Sequence, residues 1–244
     1  MKQLLKSTLA RLGYRIQGTR YVPRQLLEPD RLRPLEFDDV VCRRMFDVGR
    51  EFTFIQVGAF DGLLQYPLRK YITKCNWQGI LVEPQARAAG KLRELYRGND
   101  RILVVQAALD AESRSATLFT VDSEAAPAWA GALASFRRAT ILEHSDLIPR
   151  LELMIKEETV NCVPFSYILE RLPAGRLDLL QIDTEAADDY VLSLFPFDHV
   201  RPAVVHWEVR HLSKEQREDC LGRLAAFGYR FAASGNQDMM AVQF

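Results

Sequence analysis

The stretch EFTFIQVGAFDGLLQYPLRKYITKCNWQGILVEPQ, residues 51–85, decides how the rest of the chain is read. It opens on an apolar run, residues 52–57, dominated by Phe, Thr, Ile and Val. Such a run suits a strand buried on both faces of a parallel sheet. The run breaks at Gly58-Ala59-Phe60-Asp61-Gly62, a turn whose small residues let the backbone approach a ligand closely. Helical spacing follows at Leu64, Leu68, Tyr71 and Ile72, and a second apolar run, residues 79–82, ends in Glu83. A carboxylate roughly 20 residues beyond a glycine turn is placed to accept hydrogen bonds from ribose hydroxyls. The bland alternative is a turn capped by glycine with no ligand. Glu83 weighs against it, because an acid ending an apolar strand needs a partner.

The turn also narrows the ligand. It has no GxxxxGK[ST], which argues against a P-loop. It does not read GxGxxG either: its third position is Phe60, and Asp61 adds negative charge. An acidic turn suits pyrophosphate poorly. It suits a cofactor with a cationic end better, such as the amino group and sulfonium of S-adenosylmethionine.

At 244 residues the chain is long enough for one α/β domain plus a short extension. Basic and acidic residues balance at 32 each, so no net field draws in nucleic acid. Cys42, Cys75, Cys162 and Cys220 are far apart in sequence, without CxxC or Cys/His zinc spacing, and read as free thiols in a reducing compartment. No apolar run is long enough to span a membrane, and Lys6 and Arg11 interrupt the N-terminal segment that a secretory signal would need. A cytoplasmic enzyme is the expectation.

Residues 1–50 read as an N-terminal helical extension and residues 51–244 as the main domain. Within the extension, residues 2–14 carry Leu4, Leu5, Leu9 and Leu12 near one helical face, suited to docking on the domain or on a second subunit. A basic helix resting on a membrane surface is the minor alternative. Residues 18–34 read as an Arg- and Pro-rich arm, and residues 37–48 as a helix. Further strands are expected at 102–109, 115–121, 159–163, 177–182 and 203–209, with helices at 84–96, 147–156, 166–172, 186–195 and 214–227. Ser213 is the expected N-cap of the last helix. A closing hairpin, residues 229–233 and 239–244, follows it. Residues 122–158 interrupt the sheet pattern and read as a lid or substrate insertion. Its Trp129 and Phe136 could stack on an acceptor or pin the lid, and Arg137-Arg138 could meet an anionic acceptor or simply be solvated.

The segments QVGAFDG, ILVEPQ, ALASF, LLQIDTEAADDYVL and WEVRHLS, in this order, resemble the FkbM family of S-adenosylmethionine-dependent methyltransferases. The resemblance spans roughly residues 52–244. It implies a class I methyltransferase fold, Rossmann-like: a seven-stranded, mostly parallel sheet with a C-terminal antiparallel hairpin and helices on both faces. It also implies methyl transfer, usually to a hydroxyl of a small molecule or glycan. Carried over by position, Gly58, Ala59, Asp61 and Gly62 would line the methionine end of the cofactor. Glu83 would bind the ribose, Ala107 and Ala108 would lie by the adenine, and Asp183 matches the acid ending the fourth strand; Gln56, Pro84 and Asp183 are also expected among the cofactor-binding residues. The chain departs from the family's usual KIDVEGAE by reading QIDTEAADD.

In an open α/β sheet, ligands bind beyond the carboxyl ends of the strands. Asp183 and Glu208 are therefore the first candidates to take a proton from an acceptor hydroxyl, with His206 and the insertion's His144 behind them. His206 could equally be a core histidine, and Glu208 the partner of an arginine. A further alternative is that Asp183 and Glu208 hold a divalent cation orienting a sugar diol. Two carboxylates without a third ligand do not make a metal site, so no metal residue is assigned. Two other functions compete: an NAD-dependent oxidoreductase, disfavoured by the turn, and a catalytically degenerate binding subunit. Nucleic-acid methylation lacks both a basic balance and an aromatic motif for a flipped base.

Overall fold

The structure, a computed structural model, describes residues 36–48, 51–63, 68–121, 126–172, 176–235 and 237–243. The expected helix at 2–14, the arm at 18–34 and Leu64 lie outside them.

The apolar run becomes strand β1, Thr53–Val57, buried at every position. Two parallel strands flank it: β2, Gln78–Val82, and β8, Leu179–Ile182. β3, Ile102–Val105, extends the sheet beyond β2, and β9, Val204–Glu208, extends it beyond β8, both parallel. The last strand, β11, Asp238–Val242, runs antiparallel between β9 and β10, Arg230–Ser234. The order β3-β2-β1-β8-β9-β11-β10 is the expected seven-stranded sheet closed by an antiparallel hairpin. The turn residue Asn236 lies outside the described residues.

Because β1 is central, its alternate side chains feed two cores. Ile55 and Val57 join Val205 and Trp207 beneath α6, Asp188–Leu194, and α7, Lys214–Ala226. Phe54 joins Leu179 and Val204 beneath α1, Phe37–Val48, and α2, Arg69–Lys74. On that second face Trp77 is sandwiched by Phe52 at 3.7 Å and Tyr71 at 4.4 Å. Each such side chain contributes about 1.5–3 kcal/mol by leaving water. α1 is tied to α2 through Asp38, which pairs with Lys70 and accepts from the Tyr71 hydroxyl at 2.7 Å. α3, Ala86–Leu95, follows β2. α7 begins where expected: Ser213 and Gln216 form a reciprocal capping box.

Three expectations need correction. The strand expected at 102–109 is two strands. Ala107 N–H donates back to the Val105 carbonyl at 3.2 Å, and that turn sends the chain out of the main sheet. β4, Ala108–Leu109, then pairs with β7, Ile155–Val163, in a second, four-stranded sheet. The helix expected at 147–156 is a 3-10 turn, Leu151–Leu153, running directly into β7. Arg150, left-handed at φ 61, breaks helical progress, and pairing with β5, Arg114–Val121, claims the residues from Ile155 onward. The insertion between the paired strands therefore closes at residue 154 rather than 158. Within it, a 3-10 helix, Ala128–Ala132, the short strand β6, Ala134–Ser135, and α4, Arg138–Leu142, surround a small core of their own. The expected strand at 115–121 and its pairing with 159–163 are present in this second sheet. α5, Phe165–Leu169, is shorter than its expected range.

Candidate active site

Strand order reverses at β1 and β8, so their two following loops part and leave a crevice. A cavity of about 480 Å³ fills it. Its floor depends on Gly58, which sits at φ 79; a Cβ there would come within 1.7 Å of the Asp183 carbonyl oxygen. Only glycine lets these loops meet. The Gly58 and Ala59 N–H groups both donate to the Val82 carbonyl, at 3.0 and 3.2 Å, holding the turn against β2.

Glu83 lines this cavity although almost wholly buried. Its Oε2 accepts from Phe60 N–H at 2.8 Å and its Oε1 from Gln85 N–H at 2.8 Å. These bonds aim the carboxylate while leaving lone pairs for further donors. Burial pushes its carboxyl up to about 7, against the opposing pull of the two backbone donors. Gln56, Pro84, Ala107 and Ala108 share the lining. The Gln56 Oε1 is enclosed and accepts no hydrogen bond among the described residues.

Asp61 and Gly62 fall outside the lining. Asp61 accepts from Leu63 N–H at 3.0 Å and faces Lys91 of α3 at 3.3 Å. Gly62, at φ 72, lets the turn pack against α3, where a Cβ would press on Leu92 at 2.8 Å. Their positions brace the turn.

At the far end the carboxylates crowd. Asp183 opens onto the cavity, and the walls around it exclude enough solvent to raise its carboxyl. Asp188 is sealed beneath it, raised well above the carboxylate range by burial and by Asp183. Glu208, at the end of β9, is pushed up to about 8 by burial and then by Asp183 and Glu185. Glu185 lines the cavity, up to about 7 by burial and then by Asp183.

His206 lies elsewhere. It is buried outside the cavity lining, its Nε2 3.2 Å from the Ser234 hydroxyl and its ring edge-on to Phe37 of α1 at 4.9 Å. Burial lowers it to about 4, so it is neutral at ordinary pH. This placement matches a core histidine rather than a proton acceptor for a substrate. Sequence reasoning passed over Glu185 and His211. His211 Nε2 stands 3.7 Å from Glu185 Oε2 and 3.9 Å from Glu208 Oε2. Both residues lay within motifs already singled out, QIDTEAADD and WEVRHLS, but nothing in their spacing showed that they meet. His144 packs beside His211 with ring centres 6.0 Å apart. In the insertion, Phe136 and Arg137 reach the lining, whereas Trp129 packs near His144 at 6.1 Å.

The lining thus presents hydrogen-bond acceptors at Gln56, Glu83 and Asp183, a set that fits a ligand bearing donors and positive charge. S-adenosylmethionine, with ribose hydroxyls, an ammonium and a sulfonium, has that chemistry.

The methyltransferase FkbM domain matches residues 56–231, from the end of β1 into β10. Among solved structures, the methyltransferase FkbM from Methylobacillus flagellatus KT aligns with TM-score 0.46 and 10% identity, covering 80% of this chain and 44% of that one. The fibrillarin pre-rRNA processing protein of Methanococcus jannaschii aligns with TM-score 0.40 and 11% identity, covering 79% of this chain and 66% of that one. The precorrin-6y C5,15-methyltransferase of Geobacter metallireducens GS-15 aligns with TM-score 0.40 and 10% identity, covering 88% and 95%. The chain spans less than half the length of the FkbM structure it matches. No curated protein matches it significantly. With the sheet order, the glycine turn and the domain match in agreement, the chain belongs to the FkbM family of methyltransferases.

Proposed function

We propose that the chain methylates a hydroxyl of a small molecule or glycan, with S-adenosylmethionine as donor and Asp183 as the group that receives the hydroxyl proton. The family makes this a methyltransferase; oxygen as the methylated atom is the finer reading. When bound, the donor supplies an electrophilic methyl group. The observation that carries the proposal is the lining of the cavity. Gly58, Glu83, Asp183 and the insertion's Phe136 and Arg137 all border one space of about 480 Å³. A donor held at Gly58 and Glu83 would share that space with an acceptor under the insertion, with the Asp183 carboxylate available to take a proton.

In this reading Gln56 and Glu83 orient the donor, and Glu83 binds its ribose hydroxyls. Gly58 keeps the floor low enough for both loops to reach it. Asp183 takes the proton as the acceptor oxygen forms its bond to the methyl carbon. Phe136 covers the acceptor and Arg137 favours one carrying negative charge. A soluble, cytoplasmic setting and pairing of two chains through the N-terminal segment remain parts of the same proposal.

The test is incubation with methyl-labelled donor and a metabolite or glycan extract, followed by mass spectrometry. Label on an oxygen supports the reading. Label on nitrogen or carbon overturns the hydroxyl assignment. Normal S-adenosylhomocysteine affinity with no labelled product from any extract favours a binding subunit instead.

A further inference from the structure

We propose that Glu185, Glu208 and His211 form a binding site for a divalent cation of the manganese type at the wall where Glu185 borders both the main cavity and the recess lined by His211. The inference rests on the methyl-transfer reading for one point only, the cation's use in holding acceptor oxygens.

One ligand atom from each side chain lies within 4.8 Å of the other two. Oxygen and nitrogen ligands bind such ions at about 2.0–2.2 Å, which puts neighbouring ligands on one ion roughly 3–4 Å apart. The observed separations of 3.7 and 3.9 Å from His211 Nε2 need only small side-chain rotations to meet that. The three residues come from separate segments: the loop after β8, the end of β9 and the turn before α7. Glu185 and Ala186 both hold left-handed backbone, at φ 51 and φ 78. Neither is glycine, so each costs about 1–2 kcal/mol. That conformation places Glu185 in the wall shared by the main cavity and the small recess lined by His211 and His144.

A second observation is independent of the clustering. Glu208 Oε2 is fully enclosed and accepts no hydrogen bond among the described residues, and the Nδ1 of His144, whose ring packs beside His211, is likewise enclosed without a hydrogen-bond partner among them. An enclosed carboxyl oxygen without a donor gives up its solvation with nothing in exchange. Arg210 acts on both glutamates at a distance, but no hydrogen bond joins it to either among the described residues. A cation at the cluster satisfies the enclosed oxygen directly.

The donor set decides which cation. Carboxylates suit Mg²⁺, Ca²⁺ and Mn²⁺; imidazole suits first-row transition metals; Mn²⁺ accepts both. Three protein ligands leave positions open for oxygens of an acceptor, such as a diol. The pair considered from sequence, Asp183 with Glu208, lacked a third ligand; Glu185 and His211 complete a different set around Glu208.

The experiment titrates the metal-stripped full chain with Mn²⁺, read by electron paramagnetic resonance and calorimetry, and separately with S-adenosylhomocysteine. One Mn²⁺ site is expected. Glu208→Gln and His211→Gln should each weaken Mn²⁺ binding by about tenfold or more, with S-adenosylhomocysteine affinity in metal-free buffer unchanged. Circular dichroism confirms that both variants fold; if one does not, the other decides. No Mn²⁺ bound at millimolar concentration, or folded variants that bind it as the parent does, overturns the site. Homocysteine-ligand binding without Mn²⁺ binding sinks the cation site and leaves methyl transfer standing. Mn²⁺ binding without ligand binding does the reverse.

Discussion

The two ends of the cavity are built differently. At the donor end, Gly58 and Glu83 belong to neighbouring strands, and each Glu83 oxygen already holds a backbone N–H. At the proposed acceptor end, Asp183, Glu185, Glu208 and His211 arrive from three segments, and Glu208 Oε2 has no hydrogen-bond donor among the described residues. Left-handed backbone occurs at both ends, at Gly58 and Phe60 (φ 44) in the first and at Glu185 and Ala186 in the second. Buried polar groups in a finished site are satisfied. Each end thus keeps one enclosed acceptor without a hydrogen bond among the described residues, Gln56 Oε1 at the first and Glu208 Oε2 at the second; at the first, both Glu83 oxygens are already held by backbone donors.

The largest effect expected from breaking this contrast is at its hinge. Gly58→Ala forces a Cβ into the Asp183 carbonyl and should cost more than about 3 kcal/mol, combining backbone strain with steric clash. Denaturant unfolding measures this; a near-normal midpoint would mean that the loops do not depend on contact there.

Asp183→Asn comes next. It should lower turnover about 100-fold, the scale of a lost general base, and leave S-adenosylhomocysteine affinity nearly intact by calorimetry. Equal losses in both would move Asp183 wholly to the donor end. Glu83→Ala should weaken S-adenosylhomocysteine binding by about 1–3 kcal/mol, the cost of removing a charged hydrogen-bond partner. Unchanged affinity would remove Glu83 from the ribose.

The same residue sets a pH dependence. Glu83 has a carboxyl at about 7 in the folded chain against 4.5 when unfolded. Between these values the folded chain keeps a proton that the unfolded chain releases, so stability falls as pH rises. The contribution is complete below the lower value and gone above the upper one. Denaturation midpoints across that window should decline, and Glu83→Gln should remove part of the slope; an identical slope in the variant would contradict it. The smallest effect belongs to the frame. Ser213→Ala should cost about 1 kcal/mol of stability by deleting the cap of α7, with ligand affinity untouched.

Much of the donor end was legible in one dimension, because its parts are contiguous. The run at 52–57, the turn at Gly58 and the acid at Glu83 form one strand-turn-helix-strand unit, and local periodicity reports such units well. Ser213 was legible as a cap for the same reason. The break after Val105 was not. An apolar run looks alike whether it stays in one sheet or crosses to another, and pairing with β7 was decided by residues some fifty positions away. His206 shows the complementary failure. Alternation places it on the same sheet face as Glu208, but Glu208 at the strand end meets His211, while His206, two residues earlier, is roofed by Phe37.

From the order of its residues alone this chain determined its α/β class, its family and the glycine turn with its downstream carboxylate, since each depends on neighbours along the chain. Tertiary structure alone decided that Glu185, Glu208 and His211 face one another, that Asp61 pairs with Lys91 of α3, and that His206 is sealed in the core. The physical reason is that periodicity records which face a side chain takes within its own element. Which distant side chains share a pocket is set by how the elements cross.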